Sequence, residues 1–236
     1  MYVKDHMTAN PITITADTPL SKALEIMGKN HFHRLPVVDE NQKLIGLITE
    51  GLVNDASGKN ATSLSIYELN YLLSRTQAKD IMIRDVHTIS PLVFLEEAAE
   101  VMLENTVNVL PVVDEENHVV GIITEKDIFL TFVDLMGLKR QGTRFVMLID
   151  DKPGVFAQVT KLFAQENANV ENIAVYHTDR GSEVVVKATG EVAVDKMTKT
   201  LQDAGFNITN VVQTTTDGKT VVWQIGRASC RERVCQ

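Results

Sequence analysis

The sequence predicts an α/β (α+β) protein made of two stacked β-α-β-β-α units followed by a ferredoxin-like βαββαβ domain. Three observations predict this fold. The first part of the chain repeats itself without gaps, each repeat alternates β-branched runs with amphipathic helical segments, and the last third follows a different order of strands and helices. The 236 residues are long for a single core and suit two or three small domains.

The repeat emerges when the chain is aligned with itself. An offset of 75 residues aligns residues 3–55 with residues 78–130, and 20 of these 53 positions are identical. The identical positions include the block LPVVDE and the ends of the copies, Gly46-x-Ile48-Thr49-Glu50 and Gly121-x-Ile123-Thr124-Glu125. Agreement of this extent without a gap indicates a duplication.

Each copy predicts the order strand, helix, strand, strand, helix. In the first copy, residues 12–15 alternate as in a strand, and Thr18 and Pro19 are placed as the N-cap and the first residue of a helix. The apolar face of that helix comprises Leu20, Ala23, Leu24 and Met27. RLPVVD and KLIGLIT flank the polar turn ENQ and predict a hairpin. The closing helix is clearest in the second copy, where the apolar stripe before Gly137 comprises Ile128, Phe129, Phe132, Val133 and Met136.

A short helix is predicted between the copies. Ser65 and Glu68 have the spacing of a capping box, which marks the start of a helix. The apolar residues on one side of this helix are Ile66, Leu69 and Leu73. We expect this side to pack on the repeat pair.

The last third predicts the βαββαβ order. A strand at 144–149 runs into the turn DDKPG, and the following helix has an apolar face of Val155, Val159, Leu162 and Phe163. Two strands, a second helix and a final strand follow. The predicted boundaries are 1–57 for the first copy, 58–77 for a linker with a short helix, 78–138 for the second copy, 139–224 for the ferredoxin-like domain and 225–236 for a tail.

Composition excludes several classes of function. The net charge of -8 argues against general affinity for nucleic-acid backbones. No apolar run reaches the roughly 18 residues of a membrane span, and the first ten residues lack a signal-peptide core, so a cytoplasmic protein is expected. The tail at 225–236 holds both cysteines and three arginines without a helical or strand period, and we expect it to be an artefact of sequence assembly. Without it, disulfides, thiolate metal sites and cysteine nucleophiles are excluded.

With its LPVVD strand and its G-x-[LI]-T ending, each copy resembles a CBS domain, and the gapless pair resembles a Bateman module. The resemblance implies clefts that bind adenosine-containing ligands, with an Asp three residues after the Thr holding the ribose. The second copy has Asp127 at that position, whereas the first has Leu52.

The resemblance also implies that a His-Arg pair before Leu-Pro-Val reaches the phosphates of a ligand held by the other copy. The first copy has His33-Arg34 there, and the second has Asn108-Val109. One composite nucleotide site is therefore expected, formed by Ile12, Thr13, His33, Arg34, Ile122, Thr124, Lys126 and Asp127. The expected ligand is AMP, ADP or ATP, with cyclic di-AMP and S-adenosylmethionine as further candidates. The opposite cleft is expected to bind weakly or to be empty.

Structural explanations exist for the same residues. Asp127 could serve only as a helix N-cap. Lys29, His31, His33 and Arg34 form a basic cluster that is typical of a solvated face. His31 and His33 provide two metal ligands without a third nearby, so no metal site is expected.

The turn D-x-P-G-V makes the last third resemble an ACT domain. The resemblance implies a dimer-forming binder of amino acids or other small effectors, with Asp151, Gly154 and Asn169 at the effector positions. The alternative is that Asp151 caps its helix and that the domain serves only assembly.

The complete order of domains resembles the AcuB-type proteins associated with acetoin utilisation. It implies a non-catalytic regulatory sensor that forms a homodimer and acts on a protein partner, without contacting nucleic acid or membrane. The alternatives are a scaffold with empty clefts and an enzyme. The sequence contains no G-x-S-x-G, Rossmann or HExxH motif that would favour the enzyme.

Overall fold

The computed structural model describes residues 1–56, 65–137, 140–150, 152–179, 181–190, 192–215, 219–224 and 231–234. The chain divides into two compact units, Met1–Leu130 and Thr131–Gln236. Helices and sheets occur in both units, so the predicted mixed fold class is confirmed. In the described part of the chain, no helix combines the length and the hydropathy required to span a membrane.

The first unit contains both copies of the repeat up to Leu130, which lies within their last helix. After a 3-10 helix at Val3–Asp5, the first copy comprises β1 (Thr8–Ala9), β2 (Ile14–Thr15), α1 (Leu20–Asn30), β3 (Arg34–Val38), β4 (Leu44–Thr49) and α2 (Glu50–Ala56). The linker helix is α3 (Ile66–Arg75). The second copy comprises α4 (Ala78–Ile81), α5 (Leu95–Glu104), β5 (Val109–Val113), β6 (Val119–Thr124) and α6 (Glu125–Leu135).

The two copies exchange their leading segments. β1 belongs to the first copy in the chain, yet it pairs antiparallel with β6 of the second copy, with Thr8 opposite Ile122. In the same way Ile83, which leads into the second copy, exchanges backbone hydrogen bonds of 2.9 and 3.0 Å with Leu47 of β4. The sheet β1-β6-β5 therefore contains strands of both copies, and the sheet β2-β3-β4 is joined by a single bridge from the second copy.

Glycines permit this exchange. A Cβ atom on Gly46 would lie 2.6 Å from Met82 Sδ and 2.9 Å from the carbonyl oxygen of Ile83. A Cβ atom on Gly121 would collide with the sulfur of Met7 in the other copy. The glycine of the repeated G-x-I-T ending is thus required by the close approach of the crossing chain.

The core of each copy forms between its hairpin and its helices. In the first copy, Leu35 and Val37 of β3 are fully buried against the inner face of α1, which buries Leu20, Ala23 and Met27. The LPVV strand is buried in the second copy in the same way. α3 begins with the predicted capping box, in which the Glu68 carboxylate accepts a 2.8 Å hydrogen bond from Ser65 N, and Leu69 and Leu73 pack on the core of the first copy.

The predicted start of α1 is wrong by one residue. Pro19 has extended dihedral angles and serves as the N-cap, and the helix begins at Leu20. Thr18 Oγ1 instead accepts a 3.1 Å hydrogen bond from Thr15 N. Leu20 N donates to the carbonyl of Thr76 at 3.0 Å, so a tertiary contact replaces the expected side-chain cap.

The predicted apolar stripe of α6 divides between core and solvent. Ile128 packs on the core of the second copy. Phe129 and Phe132 remain 65% and 55% exposed. The helical period therefore identified the helix correctly but did not identify which of its apolar residues are buried.

The second unit contains β7 (Gly142–Ile149), α7 (Val155–Gln165), β8 (Asn169–Thr178), β9 (Gly181–Thr189), α8 (Val194–Asp203), β10 (Asn207–Thr214), β11 (Thr220–Gln224) and β12 (Arg231–Val234). Its sheet has the order β12-β11-β10-β7-β9-β8. The four strands β10-β7-β9-β8 are antiparallel and have the predicted ferredoxin-like order. α7 and α8 contribute Val159, Phe163, Met197 and Leu201 to the core.

Part of the tail forms a strand, contrary to the prediction. β12 pairs antiparallel with β11, with Arg231 opposite Gln224. The backbone groups of an edge strand accept another strand largely irrespective of its sequence, which explains why the side-chain pattern gave no signal. The interpretation of residues 225–236 as an artefact stays a prediction.

A buried lysine holds the segment that follows α6. Lys187 of β9 is only 4% exposed, and its Nζ donates to the carbonyl oxygens of Gly137 and, at 2.6 Å, Arg140. Asn172 Nδ2 donates to the carbonyl of Leu135, the last residue of α6, at 2.6 Å. The bond to Leu135 satisfies a carbonyl that the end of a helix leaves without an intrahelical partner. The bonds from Lys187 hold the segment beyond the helix.

Candidate functional site

A cavity of about 430 Å³ in the first unit is lined by most of the residues that were predicted to bind a nucleotide. We call it the composite cavity because both copies line it. Its residues are Thr8, Pro11, Ile12, His31, Phe32, His33, Arg34, Pro36, Asn108, Ile122, Thr124, Glu125, Lys126 and Asp127. The structure thus brings together seven of the eight predicted residues. Thr13 is not among the lining residues.

Asp127 both lines this cavity and caps α6. Its Oδ2 accepts hydrogen bonds from Thr124 N at 2.9 Å and from Thr124 Oγ1 at 2.6 Å. Asp127 N donates in return to Thr124 Oγ1 at 3.4 Å. Asp127 is therefore the third residue of α6 and forms a capping box with Thr124, which occupies the N-cap position itself. The Asp127 side chain also lies on the cavity wall.

The first copy lacks this carboxylate. Thr49 Oγ1 accepts a 3.2 Å hydrogen bond from Leu52 N, which reproduces one half of the cap. Leu52 has no oxygen that could return the bond or bind a hydroxyl group. The predicted difference between the copies thus has a local structural counterpart.

His33 and Arg34 lie where the chain enters β3. Arg34 is half-buried, and this burial lowers the pKa of its guanidinium while the Glu125 carboxylate opposes the change. The His33 side chain is 70% exposed, and its Nδ1 lies 2.7 Å from Glu50 Oε2. The first copy therefore contributes a guanidinium and an imidazole to the lining of the cavity.

Several cavity residues were not predicted. Pro11 and Phe32 add apolar surface to that of Ile12 and Ile122. Phe32 could have been predicted as a lining residue, because it is an aromatic residue between His31 and His33. Glu125 also lines the cavity. Glu125 follows Thr124 in the repeated motif, as Glu50 follows Thr49 in the first copy. Because both positions are glutamate, comparison of the two copies could not reveal that their surroundings differ.

A second cavity of about 440 Å³ lies at the related position of the pair. It contains Thr49, Asn108 and Val109, as predicted, but Leu52 is not among its lining residues. His33 and Arg34 line both cavities. The cations are therefore not confined to the composite cavity, and the weak binding expected of the second cavity stays a prediction.

The second unit has its own cavity of about 680 Å³ at the turn before α7. Gly154 lines this cavity and has a φ of 91°, a backbone conformation that favours glycine. Asn169 does not line it, and its Nδ2 lies 3.4 Å from Thr189 Oγ1. The prediction for Asp151 lies outside the described residues. The structure therefore does not bring Asn169 together with Gly154 in this cavity.

Metal ligation has no support among the residues that the structure describes. No group of three or more His, Cys, Asp or Glu side chains has a geometry suited to a metal ion there. His31, which the sequence left unassigned, lies on the wall of the composite cavity.

Comparison with known families identifies the domains. The model of the CBS domain matches residues 3–56 and 78–134, and the model of the AHAS small subunit-like ACT domain matches residues 145–205. The chain is a tandem CBS-domain protein with an ACT-like domain. The first unit is thus a CBS pair, and the ACT-like match lies in the second unit.

Individual relatives share the CBS pair. The inosine-5'-monophosphate dehydrogenase of Methanocaldococcus jannaschii is 36% identical over 117 residues, which cover 50% of this chain and 21% of the dehydrogenase. The uncharacterized protein MJ1225 of the same organism is 32% identical over 128 residues, 52% of this chain and 46% of that protein. The chain thus spans less than half of either relative.

Among solved structures, an acetoin utilization protein (AcuB) from Vibrio cholerae is similar to the CBS pair. It is 29% identical, the match covers 58% of this chain and 94% of that chain, and the TM-score is 0.49.

Proposed function

We propose that this protein is a non-catalytic regulatory sensor that binds an adenine nucleotide in the composite cavity. One observation carries the proposal. A single cavity unites the Thr124–Asp127 cap of the second copy with His33 and Arg34 of the first copy. These groups match the two polar ends of a nucleotide, its ribose and its phosphate.

The ribose is assigned to Asp127. A carboxylate offers about four acceptor positions, so it can accept bonds from ribose hydroxyls as well as from the helix cap. A hydrogen bond to a charged acceptor stabilises by about 1.5–3 kcal/mol. Thr124 orients the carboxylate through its two bonds to Oδ2.

The phosphate is assigned to Arg34, His33 and Lys126. The planar guanidinium of Arg34 provides paired donors suited to phosphate oxygens, and the imidazole of His33 offers a further ring nitrogen. Lys126 contributes a third group from the first turn of α6. The groups come from both copies, so a phosphate would bridge them.

The base is assigned to the apolar wall. Ile12 and Ile122 supply flat aliphatic contacts, and Phe32 adds an aromatic face. The volume of about 430 Å³ falls within the range of about 300–1,000 Å³ that is typical of small-molecule sites. The cavity is large enough for a mononucleotide.

Signalling follows from the composite construction of the site. A ligand that touches both copies binds better to one arrangement of the pair than to another, and this differential affinity shifts the population. The ACT-like domain is proposed to support a homodimer or to bind an amino-acid effector near Gly154. The protein partner, the cytoplasmic location and a role in acetoin utilisation stay predictions.

Calorimetric titration tests the proposal. AMP, ADP, ATP, cyclic di-AMP, S-adenosylmethionine and NADH would be titrated into the full chain, and at least one adenine nucleotide is expected to bind. Asp127→Ala and Arg34→Ala are each expected to weaken binding by about 10-fold to 100-fold, because each removes charged hydrogen bonds.

Two further variants separate ligand contact from helix capping. Asp127→Asn retains an acceptor for the cap but loses the charge, whereas Asp134→Ala changes an exposed carboxylate on the same helix and should leave affinity unchanged. Unchanged affinity in both Asp127→Ala and Arg34→Ala would refute the assigned site. Binding of no ligand would favour the scaffold, and chromatographic detection of a converted ligand would favour an enzyme.

A further inference from the structure

Glu125 places a negative charge at the phosphate end of the composite cavity. It is the first residue of α6, and its backbone N donates to the carbonyl of Asn108 at 3.1 Å. Its carboxylate acts electrostatically on Arg34, the residue to which the phosphate is assigned. The position of Glu125 is thus fixed by the start of the helix and by the neighbouring strand.

The matching residue of the first copy has a different environment. Glu50 also begins a helix, and its backbone N donates to the carbonyl of His33 at 2.9 Å. Its carboxylate contacts His33 Nδ1 at 2.7 Å. The corresponding contact of Glu125 would be with Asn108, which is uncharged. Within the described residues, Glu125 forms no ion pair at 4.0 Å or less.

The charged side chains of the cavity are therefore balanced before any ligand enters. Arg34 and Lys126 are opposed by Glu125 and Asp127. A first phosphate can be held by these cations. Each additional phosphate brings negative charge into a site without further cations among its lining residues, where Glu125 repels it.

We propose that Glu125 is a specificity-determining residue that makes the composite cavity select a nucleoside monophosphate over the diphosphate and the triphosphate. The proposal rests on the proposed function, since it concerns the same cavity. The glutamates of the repeated Thr-Glu pair thus differ in role between the copies. Glu50 contacts His33, and Glu125 limits the charge of the ligand.

The Glu125→Gln variant tests this selectivity. Its affinities for AMP and ATP would be measured calorimetrically at low salt and without divalent cations, which would neutralise the extra phosphates. The wild type is expected to bind AMP more tightly than ATP. Glu125→Gln is expected to raise the affinity for ATP relative to AMP by about fivefold, and about 1 M salt is expected to reduce this change because the carboxylate is exposed.

Glu100→Gln provides the matched control. Glu100 is an exposed residue of α5 that lines neither cavity of the CBS pair, and its substitution changes the net charge of the protein equally. A shift of the AMP to ATP ratio in Glu125→Gln alone supports the proposal. The proposal is overturned if the ratio of AMP to ATP affinity in Glu125→Gln stays within twofold of the wild type, or if Glu100→Gln shifts this ratio equally. It is also overturned if the wild type binds ATP more tightly than AMP. None of these outcomes contradicts the nucleotide site itself. Failure of the wild type to bind either nucleotide refutes the proposed function and this inference together.

Discussion

At the scale of single residues, the glycines of the G-x-I-T ending show how a sequence motif follows from a backbone crossing. The carbonyl oxygen of Ile83 lies 2.9 Å from where a Cβ atom of Gly46 would be. At Gly121 the atoms in the way belong to the flexible side chain of Met7. A backbone atom can yield less than a methionine side chain, so the two positions differ in their tolerance of a methyl group.

Alanine substitutions are expected to rank these glycines. Gly46→Ala should lower the free energy of unfolding by about 1–3 kcal/mol, and Gly121→Ala by less, because overpacking strains the surrounding structure. Gly28→Ala is the control, since no atom lies within 4 Å of its Cβ position inside α1, and it should stabilise by about 0.5–1 kcal/mol. Urea denaturation measures all three, and equal effects of Gly46→Ala and Gly28→Ala would contradict the explanation.

The predictability of the candidate site also differs from residue to residue. The comparison of the two copies showed that Asp127 and Arg34 each occur in one copy only, and the resemblance to CBS domains implied their roles. Thr13 was predicted together with Ile12 and Ile122 from the resemblance to CBS domains, but it is not among the residues that line the cavity. Glu125 was missed because it is identical in both copies, and only the structure distinguishes its surroundings from those of Glu50.

At the scale of elements, the type of each element was predictable, whereas its ends and its buried face depended on tertiary contacts. The hairpins and the αβ order of the second unit follow from local periodicity and turn residues. The start of α1 does not, since the carbonyl of Thr76 takes the place of the expected cap. β12 was missed because edge pairing needs no side-chain pattern.

β9 contains a residue whose charge should make stability depend on pH. Burial lowers the pKa of Lys187 below its ordinary value of 10.5, an effect that Glu171 opposes and that Arg140 and Arg144 reinforce. Between the folded and the unfolded pKa, the unfolded chain binds more protons, so the free energy of unfolding rises with pH in this window. Lys187→Met removes this contribution.

Denaturation at a series of pH values up to 10.5 measures this effect. The stability difference between the wild type and Lys187→Met should change in favour of the wild type as pH rises through the window, because only the wild type then loses an unfavourable buried charge. Lys199→Met, at an exposed position of α8, should show no such change. A difference that stays constant with pH would show that burial does not perturb Lys187.

At the scale of the whole molecule, the chain is a duplicated unit joined to a second fold whose sheet extends beyond the ferredoxin-like strands. β11 belongs to the body of that sheet, since Val221 is 7% exposed and Trp223 packs on the core. β12 is bonded to one neighbour only. The sheet therefore has an integral fifth strand and a marginal sixth.

Two truncations are expected to distinguish the contributions of β11 and β12 to stability. Deletion of residues 225–236 should change neither the melting temperature nor nucleotide affinity, as expected of an artefactual tail. Deletion of residues 219–236 also removes Val221 and Trp223 and should destabilise the second unit by about 2–4 kcal/mol. Calorimetric melting measures both, and a substantial loss in the shorter deletion would show that the tail is part of the fold.

The exchange of leading segments also sets an order for folding during synthesis. β4 lacks the bonds of Ile83 until the second copy has begun to emerge from the ribosome, and β1 waits for β6, more than 100 residues later in the chain. The composite cavity cannot exist before Asp127 has been translated. A nascent first copy therefore exposes incomplete sheet edges, and a ligand can stabilise the CBS pair only after both copies have been made.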